Sequence, residues 1–312
     1  MAIEEDVMEV NTFIYLFLEF LWTLLRSIFE IFKAMIRVVV PTEPKSVEGQ
    51  IVLISGAGHG MGREMALRFA RLGATIVCVD INPKGNQETM IMIKQEKGNS
   101  YKYECDVTDR AAVMELAAKV RKEVGDVTIL VNNAGIMPCK PVLEQTETEI
   151  RLMNDLNING YIWMIQAFLP SMIQRNHGHI ISMSSMAGIM GIRNLVPYCG
   201  SKYAVRGIMD ALAMELRADK RDLSGIKLTT VCPTIVNTGL CKKPRIRFEK
   251  LFKVVEPGEA ADTIINAMRR DQIEITIPQD LHYVNRYLFR LLPFQAACLW
   301  SEFFDAGVDA DD

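Results

Sequence analysis

A doubly wound α/β domain on a parallel sheet is the fold class this sequence predicts, and three observations predict it. From Gln50 onward, short runs of β-branched residues alternate with longer stretches of helical periodicity. The strand runs are continuously apolar rather than alternating, as in strands covered on both faces. A glycine-rich turn, Ser55-Gly56-Ala57-Gly58-His59-Gly60-Met61-Gly62, joins the first strand run to the first helical one. Backbone N–H groups and a helix dipole at such a turn can receive a pyrophosphate.

The strands are expected at Ile51–Ile54, Thr75–Val79, Tyr101–Cys105, Thr128–Val131, His179–Met183, Lys227–Val231 and Ile273–Ile277. Helices are expected between them, at Met61–Leu72, Lys84–Lys97, Arg110–Val124, Glu147–Arg175, Val196–Asp219 and Glu259–Arg270. Strand–helix alternation of this kind makes one seven-stranded parallel sheet with helices on both faces, over residues 50–280.

Composition sets the frame. The 312 residues are 49% hydrophobic and 23% charged, with a net charge of −3. That is enough for one large core, and it gives no reason to expect a nucleic-acid partner. The seven cysteines are odd in number and contain no CxxC, so they read as reduced thiols in a domain facing the cytosol. The four histidines form no paired pattern, so no metal site is expected. His177-Gly178-His179 reads as a turn before a strand.

Residues 1–40 stand apart as a membrane-anchoring helix, followed by a linker at 41–49. Thr12, Glu19, Arg26, Glu30, Lys33 and Arg37 are spaced 7, 7, 4, 3 and 4 residues apart, which puts them on one narrow stripe of an otherwise apolar helix. A secretory signal fits poorly, because Glu4, Glu5 and Asp6 make the start acidic. A helix lying in the membrane interface explains the stripe best. A spanning helix is long enough but places Glu19 near its middle, and a plain core helix is the bland alternative. If the helix spans, the cationic residues after the apolar run keep the rest cytosolic.

Chemistry-bearing residues lie where strands end. The glycines fit Gly56-x₃-Gly60-x-Gly62 rather than GxGxxG. Asp80, twenty-four residues after Gly56, ends the second strand. A carboxylate there accepts both ribose hydroxyls of NAD and repels the 2′-phosphate of NADP; a solvated strand-end acid is the alternative. Asp106 and Val107 can meet an adenine, or Asp106 can make a turn while Thr108 caps the next helix. Asn133 follows the fourth strand in a small-residue turn. Asn157 sits inside a helix, where asparagine is unfavourable; its amide and backbone can bend that helix and hold a water near Lys202, with Asn154 and Asn159 as rivals and a plain surface asparagine as the alternative. Tyr198 and Lys202, four apart, share a helix face, with Ser185 thirteen residues upstream at a strand end. An ammonium beside a phenol lowers its pKa and fits it for proton transfer at an alcohol, although a chance surface pair has the same spacing. Thr238 can reach a carboxamide. The basic stretch at about 238–256 reads as a substrate lid that also touches anionic lipid, or as a solvated loop. Leu281–Phe304 is apolar, either packed on the domain or a second membrane contact, and the acidic tail at 305–312 is expected to be disordered.

Together, Ser55–Gly62, Asn132–Gly135, Asn157, Ser185 and Tyr198-x₃-Lys202 resemble the short-chain dehydrogenase/reductase superfamily, over roughly Glu48 to Pro278. The apolar leader, Ala167-Phe168-Leu169-Pro170, His177-Gly178-His179 and Asp80-Ile81-Asn82 resemble its membrane-associated retinol, epidermal retinal and 17-beta-hydroxysteroid dehydrogenases. Ser55 and Thr234 depart from the usual threonine and glycine. The resemblance implies a Rossmann-type domain and a tetrad: Tyr198 as acid/base, Ser185 holding the substrate oxygen, Lys202 lowering the tyrosine pKa and binding the nicotinamide ribose, and Asn157 positioning a relay water. It implies NAD, ahead of NADP, carried by Gly56, Gly60, Met61, Gly62, Asp80, Asp106, Val107, Asn133, Tyr198, Lys202 and Thr238. The expected activity is hydride transfer to or from a retinoid, steroid or fatty alcohol at the endoplasmic reticulum membrane or a lipid droplet, with a homodimer possible. The rivals are a lipid-binding scaffold without turnover and an NADPH-dependent carbonyl reductase.

Overall fold

The computed structural model describes residues 2–40, 42–248, 253–279 and 292–311. The chain divides into two units, Met1–Pro44 and Lys45–Asp312.

The first unit is one helix, α1 (Ala2–Val39). Thr23 and Ser27 donate their hydroxyls to the carbonyls of Glu19 and Thr23, at 2.8 Å each, so these polar groups are satisfied within the helix. Thr12–Ile36 has a mean hydropathy of 1.5 with its apolar side chains exposed, and is long and apolar enough to cross a membrane.

The second unit begins with β1 (Ile51–Ser55), α2 (Gly60–Arg71), β2 (Thr75–Asp80), α3 (Pro83–Gln95), β3 (Asn99–Glu104), α4 (Arg110–Glu123) and β4 (Ile129–Asn132). It continues with α5 (Glu147–Asn154), α6 (Gly160–Arg175), β5 (Gly178–Met183), α7 (Val196–Ala218), β6 (Ile226–Pro233), β7 (Pro244–Ile246), α8 (Pro257–Arg269), β8 (Glu274–Ile277), α9 (Phe294–Phe304) and β9 (Ala306–Val308). Seven strands pair in parallel in the order β3-β2-β1-β4-β5-β6-β8. At its centre Leu53 is in register with Val77 on one side and Leu130 on the other.

Successive side chains of a strand point to opposite faces, and this splits the core in two. Val52 and Ile54 pack with Met65, Phe69, Ile93, Ile264 and Met268, under α2, α3 and α8. Leu53, Val77 and Leu130 pack with Val113, Leu116, Met164, Phe168 and Met209, under α4, α6 and α7. Chain order reverses between β1 and β4, and in open α/β sheets ligands bind outside the carboxyl ends of the strands at that switch point.

Four expectations need correction. The helix expected over Glu147–Arg175 is broken by a π-helical segment, Asp155–Asn159, because the Asn157 side chain turns inward to bond a neighbouring loop. Asp109, not Thr108, caps α4, accepting from the N–H groups of Ala111 and Ala112. β5 starts at Gly178, one residue before the expected His179, so only His177 remains of the turn expected ahead of it; the His179 ring bridges Lys45 and Thr229, and burial holds its pKa well below the ordinary value. The acidic tail is ordered over its described residues: β9 pairs antiparallel with β7, and cations of the preceding basic stretch neutralise its carboxylates. Residues 249–252 of the expected lid and 281–291 of the late apolar stretch lie outside the described residues.

Candidate active site

The carboxyl edge of the sheet gathers most of the residues singled out by the sequence. Tyr198 and Lys202 sit on the first turns of α7, which Pro197 opens without the loss of a helical hydrogen bond. Tyr198 is 5% exposed and Lys202 4%. Lys202 Nζ donates to the Met183 carbonyl at the end of β5 (2.8 Å) and lies 5.6 Å from the centre of the Tyr198 ring. Ser185, in extended backbone just after β5, shares a hydrogen bond with the Tyr198 phenol. Asn157 is fully buried: its Oδ1 accepts from Ile136 N (3.0 Å), and its Nδ2 donates to Ile136 O (3.0 Å) and Ser201 Oγ (3.1 Å).

The glycine-rich turn is held from two sides. Gly56 and Gly60 have φ of +69° and +55°, and a Cβ on Gly62 would collide with the Gly56 carbonyl oxygen. Asn133 Nδ2 donates to the carbonyls of Ser55 (3.0 Å) and Gly56 (3.2 Å). Asp80 accepts from Gly58 N through Oδ2 and from Asn82 N through Oδ1, at 2.8 Å each. Thr238 closes against Gly60. The Met61 side chain packs on the core, which leaves its backbone at the start of α2 as its contribution to the turn. Val107 is buried, whereas Asp106 is exposed and makes the turn, accepting from Thr108 N and Oγ1.

The family model described as short chain dehydrogenase matches residues 50–247. Human epidermal retinol dehydrogenase 2 is 37% identical over 279 residues, covering 89% of each chain. Human 17-beta-hydroxysteroid dehydrogenase 13 is 37% identical over 284 residues, covering 90% of this chain and 92% of that one. Among solved structures, a short-chain dehydrogenase/reductase from Burkholderia phymatum in complex with NAD superposes with a TM-score of 0.70 at 22% identity, over 77% of this chain and 93% of that one. This chain belongs to the short-chain dehydrogenase/reductase family.

As a member of that family it is an oxidoreductase whose fold binds a nicotinamide cofactor, and the residues present fit one. The backbone at Gly135 passes so close to the pair that a Cβ there would stand only 3.0 Å from Asn157 Oδ1 and 3.6 Å from Lys202 Nζ. The residue before it, Ala134, lies against Gly56, so this loop joins the glycine turn to the buried tyrosine–lysine pair.

The electrostatics depart from the sequence expectation. Burial pushes the Tyr198 phenol above its ordinary pKa, and the opposing influence is the Ser185 hydrogen bond rather than Lys202. The ammonium is directed at the Met183 carbonyl, and its own burial draws its pKa down to about 8. The seven cysteines are free thiols, and no metal-binding cluster occurs among the described residues.

Three supports went unnoticed in the sequence. Ser55 Oγ receives the N–H groups of Asn133 (3.0 Å) and Ala134 (3.2 Å), tying β1 to the loop after β4. Arg63 donates to the Gly58 carbonyl and pairs with Glu88 (2.9 Å). Arg206 donates to the Gly188 carbonyl (3.0 Å), in the short turn that follows Ser185, and forms a buried ion pair with Glu274 on β8 (2.9 Å). Arg206 lies four residues after Lys202, one turn further along the same helix face, which is the signal that could have found it.

Proposed function

We propose that this chain is a membrane-associated oxidoreductase that moves hydride between NAD(H) and a lipophilic alcohol or its carbonyl, such as a retinoid, steroid or fatty alcohol. The observation that carries the reading is the juxtaposition of Ser185, Tyr198, Lys202 and Asn157 beside the close-packed backbone at Gly135.

The nicotinamide ring, when bound, supplies or accepts the hydride. Tyr198 Oη gives a proton to the substrate oxygen or takes one from it, and Ser185 Oγ holds that oxygen in place. A buried phenol with a raised pKa is neutral at rest, so it is poised to donate. Loss of its proton is favoured by the Ser185 hydrogen bond, and Lys202, its pKa drawn down to about 8, stays largely charged at neutral pH. Both Nδ2 hydrogens of Asn157 are engaged, so a relay water there would donate to its backbone carbonyl or to the remaining lone pair of Oδ1.

Asp80 supports NAD. Its position at the end of β2 suits a ribose diol, and the nearby guanidinium of Arg63 is drawn off by Glu88. The exposed apolar flank of α1 supports membrane association, at the endoplasmic reticulum or a lipid droplet with the catalytic unit in the cytosol. Trp300 and Phe303 on α9 are about half exposed and make a candidate second contact. The apolar outer faces of α6 and α7, with Ile162, Leu169 and Ile208 along an open groove, would suit a second copy.

Full-length protein in membranes, offered NAD or NADP with a panel of retinoids, steroids and long-chain alcohols, tests the proposal by formation of the reduced cofactor. Turnover with NAD on at least one member is expected, and Asp80→Ala should shift preference toward NADP. Binding of NAD without turnover across the panel would favour the scaffold reading, and a wild-type preference for NADP would overturn the role given to Asp80. Removing residues 1–40 should release the protein from membranes.

A further inference from the structure

We propose that the C-terminal strand is a wall of the substrate site: β9 straps the segment after β6 down beside Tyr198, with Val308 lining the space that the substrate enters. The placement of substrate beside Tyr198 rests on the function proposed above; the strap itself does not.

The strap touches three loops that are far apart in the chain. In the β7–β9 ladder, Val308 is in register with Pro244, Gly307 with Arg245 and Ala306 with Ile246. Asp309 N donates to the Lys243 carbonyl (3.0 Å), in the segment after β6. Asn194 Nδ2, in the loop before α7, donates to the Val308 carbonyl (3.0 Å). Cys139, in the loop after β4, donates its thiol to the Asp309 carbonyl (3.4 Å) and accepts from Asp311 N (2.8 Å) through its own carbonyl. These loops leave the ends of strands at the carboxyl edge, where the catalytic side chains lie.

Val308 is 5% exposed and belongs to one buried cluster with Cys139, Met153, Ala187, Leu195, Tyr198 and Cys199. A residue near the C-terminus is therefore packed into the group that surrounds the catalytic tyrosine.

Charge holds the strap. Arg245 lies 3.0 Å from Asp305 and 3.1 Å from Asp309, and Lys242 lies 3.4 Å from Asp311. These pairs are partly solvated, and such pairs are weak and screened by salt. A two-stranded ladder of three residues a side is not stable by itself. The strap therefore belongs to the low-stability end of the molecule and can open while the sheet stays intact. Closed, it supplies an apolar surface beside Tyr198 and excludes water.

Full-chain variants Val308→Ser and Arg245→Gln, beside wild type, test this through two readouts. The first is the rate at which Cys139 is labelled by a maleimide, located by peptide mass. Cys78 and Cys232, fully buried in the sheet, serve as internal controls. The second is the split between KM and kcat for a lipophilic alcohol that the wild type oxidises. Both variants, and wild type in high salt, should label Cys139 several-fold faster with Cys78 and Cys232 unchanged. Val308→Ser should raise KM by roughly tenfold, the scale of one lost apolar contact in a substrate pocket, while NAD affinity stays the same. Unchanged Cys139 labelling in both variants would overturn the strap. Faster labelling with unchanged KM would overturn the wall. If the wild type oxidises no alcohol, the proposed function fails while the labelling still reports on the strap.

Discussion

The two sides of the sheet's carboxyl edge, the glycine turn proposed for the cofactor and the Tyr198 side proposed for the substrate, are built from different material. On the cofactor side the shape is backbone: Gly56 and Gly60 turn through positive φ, Gly62 passes against the Gly56 carbonyl, and Asn133, Asp80 and Ser55 brace that backbone by hydrogen bonds. On the substrate side the shape is side chain, drawn from remote segments: Ser185 and Tyr198, Arg206 and Glu274, Cys139, Asn194 and Val308. A surface made of backbone tolerates almost no change at its glycines, whereas one made of side chains can be reshaped a residue at a time. This difference suits one constant cofactor and varied substrates.

The comparison breaks first at Gly62. Gly62→Ala places a methyl group against a backbone oxygen that cannot swing aside, so cofactor binding should be lost. Thermal stability should fall by more than the roughly 1–3 kcal/mol of ordinary overpacking, and cofactor titration with a thermal melt checks both. Retained NAD affinity in that variant would mean the turn is not built as described.

Arg206→Met is the counterpart on the other side. It removes the guanidinium shared by Glu274 and the Gly188 carbonyl. Breaking a buried pair costs about 3–5 kcal/mol, and here the loosened turn carries Ser185. Denaturant unfolding should show the loss, and turnover should fall further than NAD affinity does. An equal loss of both would mean the two sides are not separable.

Lys202 stands where the sides meet, and pH sharpens the comparison there. Burial lowers its pKa from 10.5 to about 8. Between those values the unfolded chain holds a proton that the folded chain has released, so stability rises with pH across that window. In cofactor-free protein the melting temperature of wild type, measured against Lys202→Met, should climb from about pH 8 to 10.5, by up to about 3 kcal/mol of stability. A flat difference would mean that Lys202 is better solvated than its burial implies.

The same contrast explains what was legible in the sequence. Strand runs such as Val52–Ile54, the glycine spacing and Asp80 are local signals, and the structure has the expected seven strands in parallel. Tyr198, Lys202 and Ser185 were legible because helix spacing and a strand end bring them together. A bend at Asn157 was legible from an unfavourable helix residue, but its π-helical form was not, since that depends on Asn157 finding Ile136 across a loop. Nor was the ordered tail, where Asp309 meets Arg245 from 64 residues away and each alone reads as a solvated charge. The tyrosine pKa is not legible for a related reason: spacing on a helix reveals the neighbour but not the depth of burial.

Tyr198→Phe against wild type, with kcat and NAD affinity measured on the same membranes, tests the central claim most directly. The phenyl ring keeps the packing and removes only the hydroxyl. General acid–base catalysis is worth roughly 10²–10⁴-fold, so kcat on the best alcohol of the panel should fall by that factor while NAD binds as before. Turnover within a few-fold of wild type would contradict the assignment of Tyr198 as the group that moves the proton.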